Sequence, residues 1–108
     1  LRAYNTGLDP DLPTDKPLSI ISVAPNPMES GTSISFNVSK PTTLTLEVFD
    51  LMGRVVLEAD IGHVSEGIGS FYWNGSTGSG ERLAPGLYFI KFTGSNGLCD
   101  TGRVVIAR

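Results

Sequence analysis

The sequence predicts an all-β protein, a sandwich of two antiparallel sheets with about seven strands. Short runs of β-branched and aromatic residues alternate with clusters of glycine, proline, asparagine and serine. Within most of these runs, apolar residues recur at every second position, as they do in half-buried strands. No apolar period of 3.6 residues persists for the roughly ten residues that a helix needs. The strands follow one another at the spacing of about 8–12 residues that is typical of sandwiches.

The first three strands are predicted at residues 20–24, 32–38 and 43–49. The first ends at Pro25 and Pro27, because proline has no backbone N–H to donate to a neighbouring strand. The third shows the clearest alternation, with Leu44, Leu46 and Val48 on one face and polar residues on the other. These strands are therefore expected to bury one face each.

The later strands are separated by glycine-rich turns. Residues 50–53 make a tight turn in which Gly53 can adopt a positive φ. Residues 54–60 are the predicted hairpin partner, 70–73 a short strand, and 74–80 a loop with three glycines. Residues 87–92 and a last strand that ends at Ile106 complete the prediction.

The inward-pointing side chains of both sheets should form one core with Trp73 at its centre. The predicted core residues are Ile34, Phe36, Leu44, Leu46, Val48, Trp73, Tyr88, Ile90, Phe92, Val104 and Ile106.

The length of 108 residues fits one domain. Residues 1–17 hold three prolines and three aspartates without a periodic apolar pattern, which is typical of an extended linker. The folded domain is therefore predicted at residues 18–108. The chain opens without an initiator methionine, and we expect it to be cut from a longer protein.

Composition argues against several classes of partner. A net charge of −3 gives no basic face for nucleic acid or anionic lipid. No apolar run approaches the roughly 20 residues of a membrane-spanning helix. Cys99 is the only cysteine, so no internal disulfide can form, and we expect a small half-buried residue there.

No catalytic, cofactor or metal site is predicted. His63, the only histidine, lies in a turn-rich segment far in sequence from Cys99, and we interpret it as a solvated loop residue. Asp9, Asp11 and Asp15 lack the glycine and terminal glutamate of a calcium loop. We expect that the domain is not an enzyme.

Four glutamates leave one enzymatic alternative open. They are Glu47, Glu58, Glu66 and Glu81. Two of them could form the carboxylate pair of a glycosidase, although nothing in the sequence singles out a pair.

Four motifs from residue 20 to the end resemble the C-terminal sorting domains of cargo proteins of the type IX secretion system of Bacteroidetes. They are Pro-Asn-Pro at residues 25–27, Val-Phe-Asp-Leu-Met-Gly-Arg-Val-Val at 48–56, Leu-Ala-Pro-Gly-Leu-Tyr at 83–88, and Arg-Val-Val-Ile at 103–106. The third motif carries a corner-like tyrosine, whose hydroxyl needs a partner. The immunoglobulin-like modules of flagellar hook-capping proteins share Trp-Asn-Gly at 73–75 and Gly-Leu-Tyr at 86–88, and the long loop at 76–82 resembles theirs.

The resemblance implies an immunoglobulin-like fold and a role as an address label. The parent protein would pass through the periplasm and then reach the cell surface or the medium through an outer-membrane translocon. A shuttle protein, the translocon and a cell-surface sortase are the implied partners. In most cargo the sortase removes the domain, which here would place the cut within residues 1–17, whereas a few components of the system keep theirs.

The implied contact surface lies in the last part of the domain. Strand edges there could pair with a partner strand, or with a second copy to give a homodimer, and the arginines could meet acidic groups. The candidate recognition residues are Leu87, Phe89, Lys91, Arg103, Val104, Val105, Ile106 and Arg108.

Two other functions remain open at this point. A carbohydrate-binding or adhesive module would need exposed aromatic residues on one face, for which Phe49, Tyr72 and Phe89 are the outward candidates. A structural domain of the hook-capping type would instead self-associate.

Overall fold

A computed structural model describes residues 17–108, which form seven strands in two antiparallel sheets. The predicted linker lies outside the described residues except for Pro17. The strands are Leu18–Ala24 (β1), Thr32–Val38 (β2), Thr42–Phe49 (β3), Val55–Val64 (β4), Gly67–Trp73 (β5), Gly86–Gly94 (β6) and Cys99–Ile106 (β7). The sheet orders are β1-β2-β5 and β4-β3-β6-β7. The predicted all-β sandwich is confirmed.

The region between Asp60 and Ser70 is more regular than predicted. β4 continues to Val64 and β5 begins at Gly67, so most of the expected turn residues are in strands. Gly62 has a φ of 92° and lies where the β3–β4 register shifts, which identifies a bulge rather than a turn. The prediction that His63 lies in a loop was wrong, because it is an exposed residue of β4.

The core contains every residue predicted for it. Phe36 and Phe92 bring their ring centroids to 5.1 Å from opposite sheets, and the rings of Trp73 and Tyr88 meet edge to face at 6.5 Å. Further apolar residues complete the cluster, and Thr32 and Thr42 are buried with it. These additional apolar members are Leu18, Met28, Val38 and Leu57.

One side of the sandwich is closed by the segment that follows β1. The side-chain Oδ1 of Asn26 accepts a hydrogen bond from the backbone N–H of Val105 at 2.9 Å, and its Nδ2 donates to the carbonyl of Arg103 at 3.2 Å. The backbone N–H of Met28 donates to the carbonyl of Val105, and the Met28 carbonyl accepts from Ala107 N–H, both at 2.8 Å. The outer edge of β7 is therefore already occupied.

This closure corrects the expectation that the last two strands, β6 and β7, offer free edges to a partner strand. Residues 87–92 belong to β6, which is paired with β3 on one side and β7 on the other. The free edge expected at residues 103–108 is taken by Asn26 and Met28. Residues 87–92 therefore offer no free strand edge, and most of the outward backbone groups of residues 103–107 are already bonded.

No helix long and apolar enough to cross a membrane occurs among residues 17–108.

Candidate recognition surface

Five of the eight predicted recognition residues lie together on the outer face of the four-stranded sheet. Leu87, Phe89 and Lys91 alternate along β6, opposite Val105, Arg103 and Thr101 of β7. Their inward neighbours fill the core, so these side chains must point outward. The structure therefore brings Leu87, Phe89, Lys91, Arg103 and Val105 onto one face.

The other three predicted residues have structural roles. Val104 and Ile106 are 0% and 1% exposed in the core. The guanidinium of Arg108 donates to the carbonyl oxygens of Glu29 at 3.1 Å, Leu83 at 2.7 Å and Gly75 at 3.4 Å. Arg108 thus ties the β1–β2 loop and the β5–β6 loop to the end of the chain.

An apolar surface that the sequence did not predict adjoins the recognition residues. Leu51 and Met52, in the turn between β3 and β4, are 68% and 79% exposed. Phe49 lies opposite both Val55 of β4 and Phe89 of β6. We call the set Phe49, Leu51, Met52, Val55, Leu87 and Phe89 the hairpin-end surface.

The sequence signal for this surface was present in the turn itself. Leu51 and Met52 are large apolar residues between Asp50 and Gly53, where turns usually carry polar side chains. Contiguous exposed apolar residues mark interaction sites more often than isolated ones do. The hairpin-end surface is therefore the best candidate for a contact with another protein.

A shallow cavity of about 260 Å³ opens beside this surface. It lies between the β3–β4 turn and the start of β6. This volume is below the roughly 300–1,000 Å³ of pockets that hold a whole small ligand, so it suits a single side chain of a partner. The lining residues are Asp50, Leu51, Met52, Arg54, Pro85, Gly86, Leu87 and Tyr88.

Asp50 fixes the turn that forms one wall of the cavity. Its Oδ1 accepts from the backbone N–H groups of Met52 and Arg54 at 2.9 and 3.0 Å, and its Oδ2 accepts from Arg54 Nε at 2.9 Å. The backbone N–H of Arg54 is the main cause that lowers the pKa of Asp50, and the guanidinium and Met52 N–H add to it against an opposing effect of burial. The charged carboxylate therefore holds Leu51 and Met52 in place.

Buried Tyr88 fixes the other wall, and buried Trp73 fixes the loop that leads to it. The Tyr88 hydroxyl donates to the carbonyl of Ala84 at 2.7 Å, which supplies the partner that its corner-like position required. Trp73 Nε1 donates to the carbonyl of Ser76 at 2.9 Å and so anchors the loop between β5 and β6. Both sides of the cavity are held by hydrogen bonds.

His63 and Cys99 lie on β4 and β7, at opposite edges of the four-stranded sheet, and so form no joint site. Of the four glutamates considered above, Glu47 and Glu58 are cross-strand neighbours on the outer face of this sheet, and neither lines the cavity. Cys99 is exposed at the start of β7, so the expectation of a half-buried cysteine was wrong. It pairs with Thr93 on the outward side of the alternating pattern, which explains its exposure. No group of three His, Cys, Asp or Glu side chains among residues 17–108 is arranged to hold a metal ion.

The outward aromatic residues do not form a single sugar-binding platform. Phe49 and Phe89 are cross-strand neighbours on the four-stranded sheet. Tyr72 belongs to β5 in the other sheet and is paired there with Ser33. The three rings thus lie on opposite faces of the sandwich, which disfavours the carbohydrate-binding alternative.

The geometry defines the class of protein as an immunoglobulin-like β-sandwich. The sequence profile of the FlgD Ig-like domain matches residues 24–97, which is more than half of the chain. The chain belongs to the FlgD Ig-like domain family.

Two solved structures show the same fold. FlgD from P. aeruginosa superposes with a TM-score of 0.60 at 22% identity, over 84% of this chain and 68% of that one. PorZ, a surface component of the type IX secretion system of Porphyromonas gingivalis, superposes with a TM-score of 0.57 at 19% identity. That match covers 81% of this chain but only 11% of PorZ. No protein of curated function has a significantly similar sequence.

Proposed function

We propose that this domain is a C-terminal sorting signal, which directs its parent protein across the outer membrane through the type IX secretion system. The observation that carries the proposal is the meeting of two of the four motifs at the hairpin-end surface. Residues 48–56 supply Phe49, Leu51, Met52 and Val55, and residues 83–88 supply Leu87 and most of the opposite wall of the cavity. Exposed Leu51 and Met52 contribute little to the core, so a contact with a partner explains them better than folding does.

The partners and route follow from the same proposal. A translocon or shuttle protein binds the folded domain in the periplasm, and the parent protein then reaches the cell surface or the medium. As in most cargo of that system, a sortase would then cut in the linker at residues 1–17. In this role the domain is bound by other proteins and catalyses no reaction. The similarity to part of PorZ supports this reading at the level of the fold.

A structural module of the hook-capping type is the second candidate. The family match and the similarity to FlgD favour it. Such a module would hold subunits together within an assembly, and the hairpin-end surface would then contact a neighbouring subunit. The two functions differ in whether the domain alone is sufficient to move an unrelated protein.

Export of a reporter separates these candidates. A periplasmic reporter fused to residues 18–108 is expressed in a host with the type IX system and in one that lacks its translocon. The sorting function predicts reporter at the surface or in the medium of the intact host alone. Retention in the periplasm of both hosts would contradict it and would favour the structural module.

The design of this test should avoid deletion of residues 104–108. Val104 and Ile106 are core residues, and Arg108 binds three backbone carbonyls. Their removal would unfold the domain, so loss of export would carry no information about recognition. Substitutions of exposed residues leave the fold intact.

A further inference from the structure

β4 is an open edge of the four-stranded sheet. On the opposite side of the sandwich, Asn26 and Met28 cover β7, and the Asp100 carboxylate accepts the N–H of Ile20 in β1 at 2.8 Å. Among residues 17–108, β3 is the only strand that pairs with β4. With ten residues it is also the longest strand of the domain.

Two hydrogen bonds show which backbone groups of β4 face outward. Asp50 N–H donates to the carbonyl of Arg54. The backbone N–H and C=O groups of even-numbered residues at this end of β3 therefore point towards β4. Ser95 N–H donates to the carbonyl of Thr43, so the backbone groups of odd-numbered residues of β3 point towards β6. Leu57 and Ala59 therefore bond to Val48 and Leu46, and the backbone groups of Glu58 and Asp60 point away from the sheet.

The side chains along this edge are acidic. Glu58 lies directly opposite Glu47 across the β3–β4 pair, an arrangement of like charges that destabilises a sheet. Neither glutamate has an ion-pair or hydrogen-bond partner within residues 17–108. Asp60, two residues along the same face, accepts only the N–H of Gly62. Glu47 has Lys91 of β6 opposite it on its other side. Glu58 and Asp60, on the open edge itself, are therefore the charges available to a basic partner.

We propose that the β4 edge binds an extended strand of another protein in which basic and apolar residues alternate. In an antiparallel pair, directly opposed side chains share a face, so residues opposite Glu58 and Asp60 would be lysine or arginine. The residue between them lies opposite Ala59, which packs on the core, and would be apolar. The inference rests on the proposed role of the domain as a module that partners bind.

A second copy of this chain does not suit the same edge. If β4 paired with its symmetry mate about Ala59, Glu58 of each copy would lie opposite Asp60 of the other. The carboxylates would then repel one another across the new interface. In this register, charge therefore disfavours a homodimer at the β4 edge.

Peptide titration of the purified 108-residue chain tests the proposal. The probe is an end-capped peptide of alternating lysine and valine, as long as β4, added to isotope-labelled protein. We expect shifts of the Glu58 and Asp60 amide resonances and exchange of these amides slowed at least about tenfold at saturation. A peptide of alternating glutamate and valine should not bind. The lysine peptide with N-methyl groups on alternate amides should also fail, since it retains the charge but cannot complete the ladder.

Variants separate edge pairing from general attraction to an acidic protein. Glu58→Gln with Asp60→Asn should weaken binding by about three- to tenfold. Glu29→Gln with Glu81→Gln is the matched control, because it removes two charges from exposed loop residues outside β4, and it should leave binding unchanged. Chemical-shift spectra of each variant establish that it is folded.

Three results would overturn the proposal: shifts centred on β5 or another surface, equal binding of the acidic peptide, or no binding at all. A concentration-dependent dimer with protected β4 amides would also do so. Because the peptide assay uses the isolated domain, its failure is distinguishable from failure of the proposed export function.

Discussion

At the residue scale, Asn26 gives the Pro-Asn-Pro motif a physical role. Its amide supplies one acceptor and one donor to β7, in the pattern that a neighbouring strand would use. The two flanking prolines have no N–H to compete for these groups. One side chain thus replaces part of a strand.

Replacement of Asn26 by alanine should therefore destabilise the domain. Loss of two hydrogen bonds predicts a decrease of about 1–3 kcal/mol in the free energy of unfolding, with faster exchange of the Val105 amide. Asn37→Ala is the control, because Asn37 lies on the outer face of β2 without a described side-chain partner. Urea unfolding measures both, and equal effects of the two substitutions would show that the Asn26 bonds contribute nothing.

Trp73 should be the most costly single truncation. Its indole is 3% exposed, contacts Tyr88 edge to face and donates to Ser76. Trp73→Ala leaves a cavity in the core and should cost about 3–5 kcal/mol by urea unfolding. Ile68→Ala, on the exposed face of the same strand, should change stability by less than about 0.5 kcal/mol. An unchanged melting temperature for the Trp73 variant would contradict this core.

Alternation explains why the core residues could be predicted and why others could not. Ile34, Leu46 and Ile90 lie in strands whose apolar residues recur at every second position. Only one face of a strand can collect all of these residues, so the buried face is fixed. Met28 lies between turns with no periodic neighbours, so only its bonds to β7 reveal its burial. Cys99 begins a strand and is followed by three polar or small residues. No alternation of apolar residues therefore indicated which way its side chain points.

At the element scale, the β3–β4 hairpin depends on an ionised Asp50. Its carboxylate accepts three hydrogen bonds, which lower its pKa in the folded state. A lowered pKa means that the contribution to stability is present above the ordinary aspartate pKa. That contribution is lost as the pH falls through the lowered value.

A pH titration tests this dependence. Carboxyl carbon resonances of Asp50 should titrate below the ordinary range of aspartate, and the Met52 and Arg54 amides should lose their shifts in the same step. Asp50→Asn keeps the shape of the side chain but should abolish the acid transition at these amides. An Asp50 midpoint at or above the ordinary range would contradict the account of the turn.

The β4–β5 region shows a limit of sequence reasoning at the same scale. Gly62, Gly67 and Gly69 suggested turns, because glycine is the usual residue of tight turns. Gly69 instead lies against Phe36, where a Cβ would come within 2.7 Å of the ring. Its role is to admit a core ring from the paired strand, which depends on a register that the local sequence does not reveal.

At the scale of the whole molecule, the fold was predictable from the sequence, and the hairpin-end surface was predictable only in part. Strand number, sheet class and core follow from local patterns. The closure of β7 by Asn26, and the meeting of residues 48–56 with 83–88, depend on packing between segments distant in sequence. Five of the eight predicted recognition residues therefore share one face of β6 and β7, and their contact with a partner stays a prediction. Val104, Ile106 and Arg108 instead serve the fold, and the exposed turn beside the five was missed.

The central claim is that the sandwich presents the hairpin-end surface to an export partner. Export of the reporter fusion with Leu51→Ser and Met52→Ser tests it most directly, since both side chains are exposed and their loss should leave the melting temperature within a few degrees. Ile68→Ser, on the other sheet, is the control. We predict that the double variant is retained in the periplasm while the control is exported normally. Normal export of a folded double variant would contradict the claim.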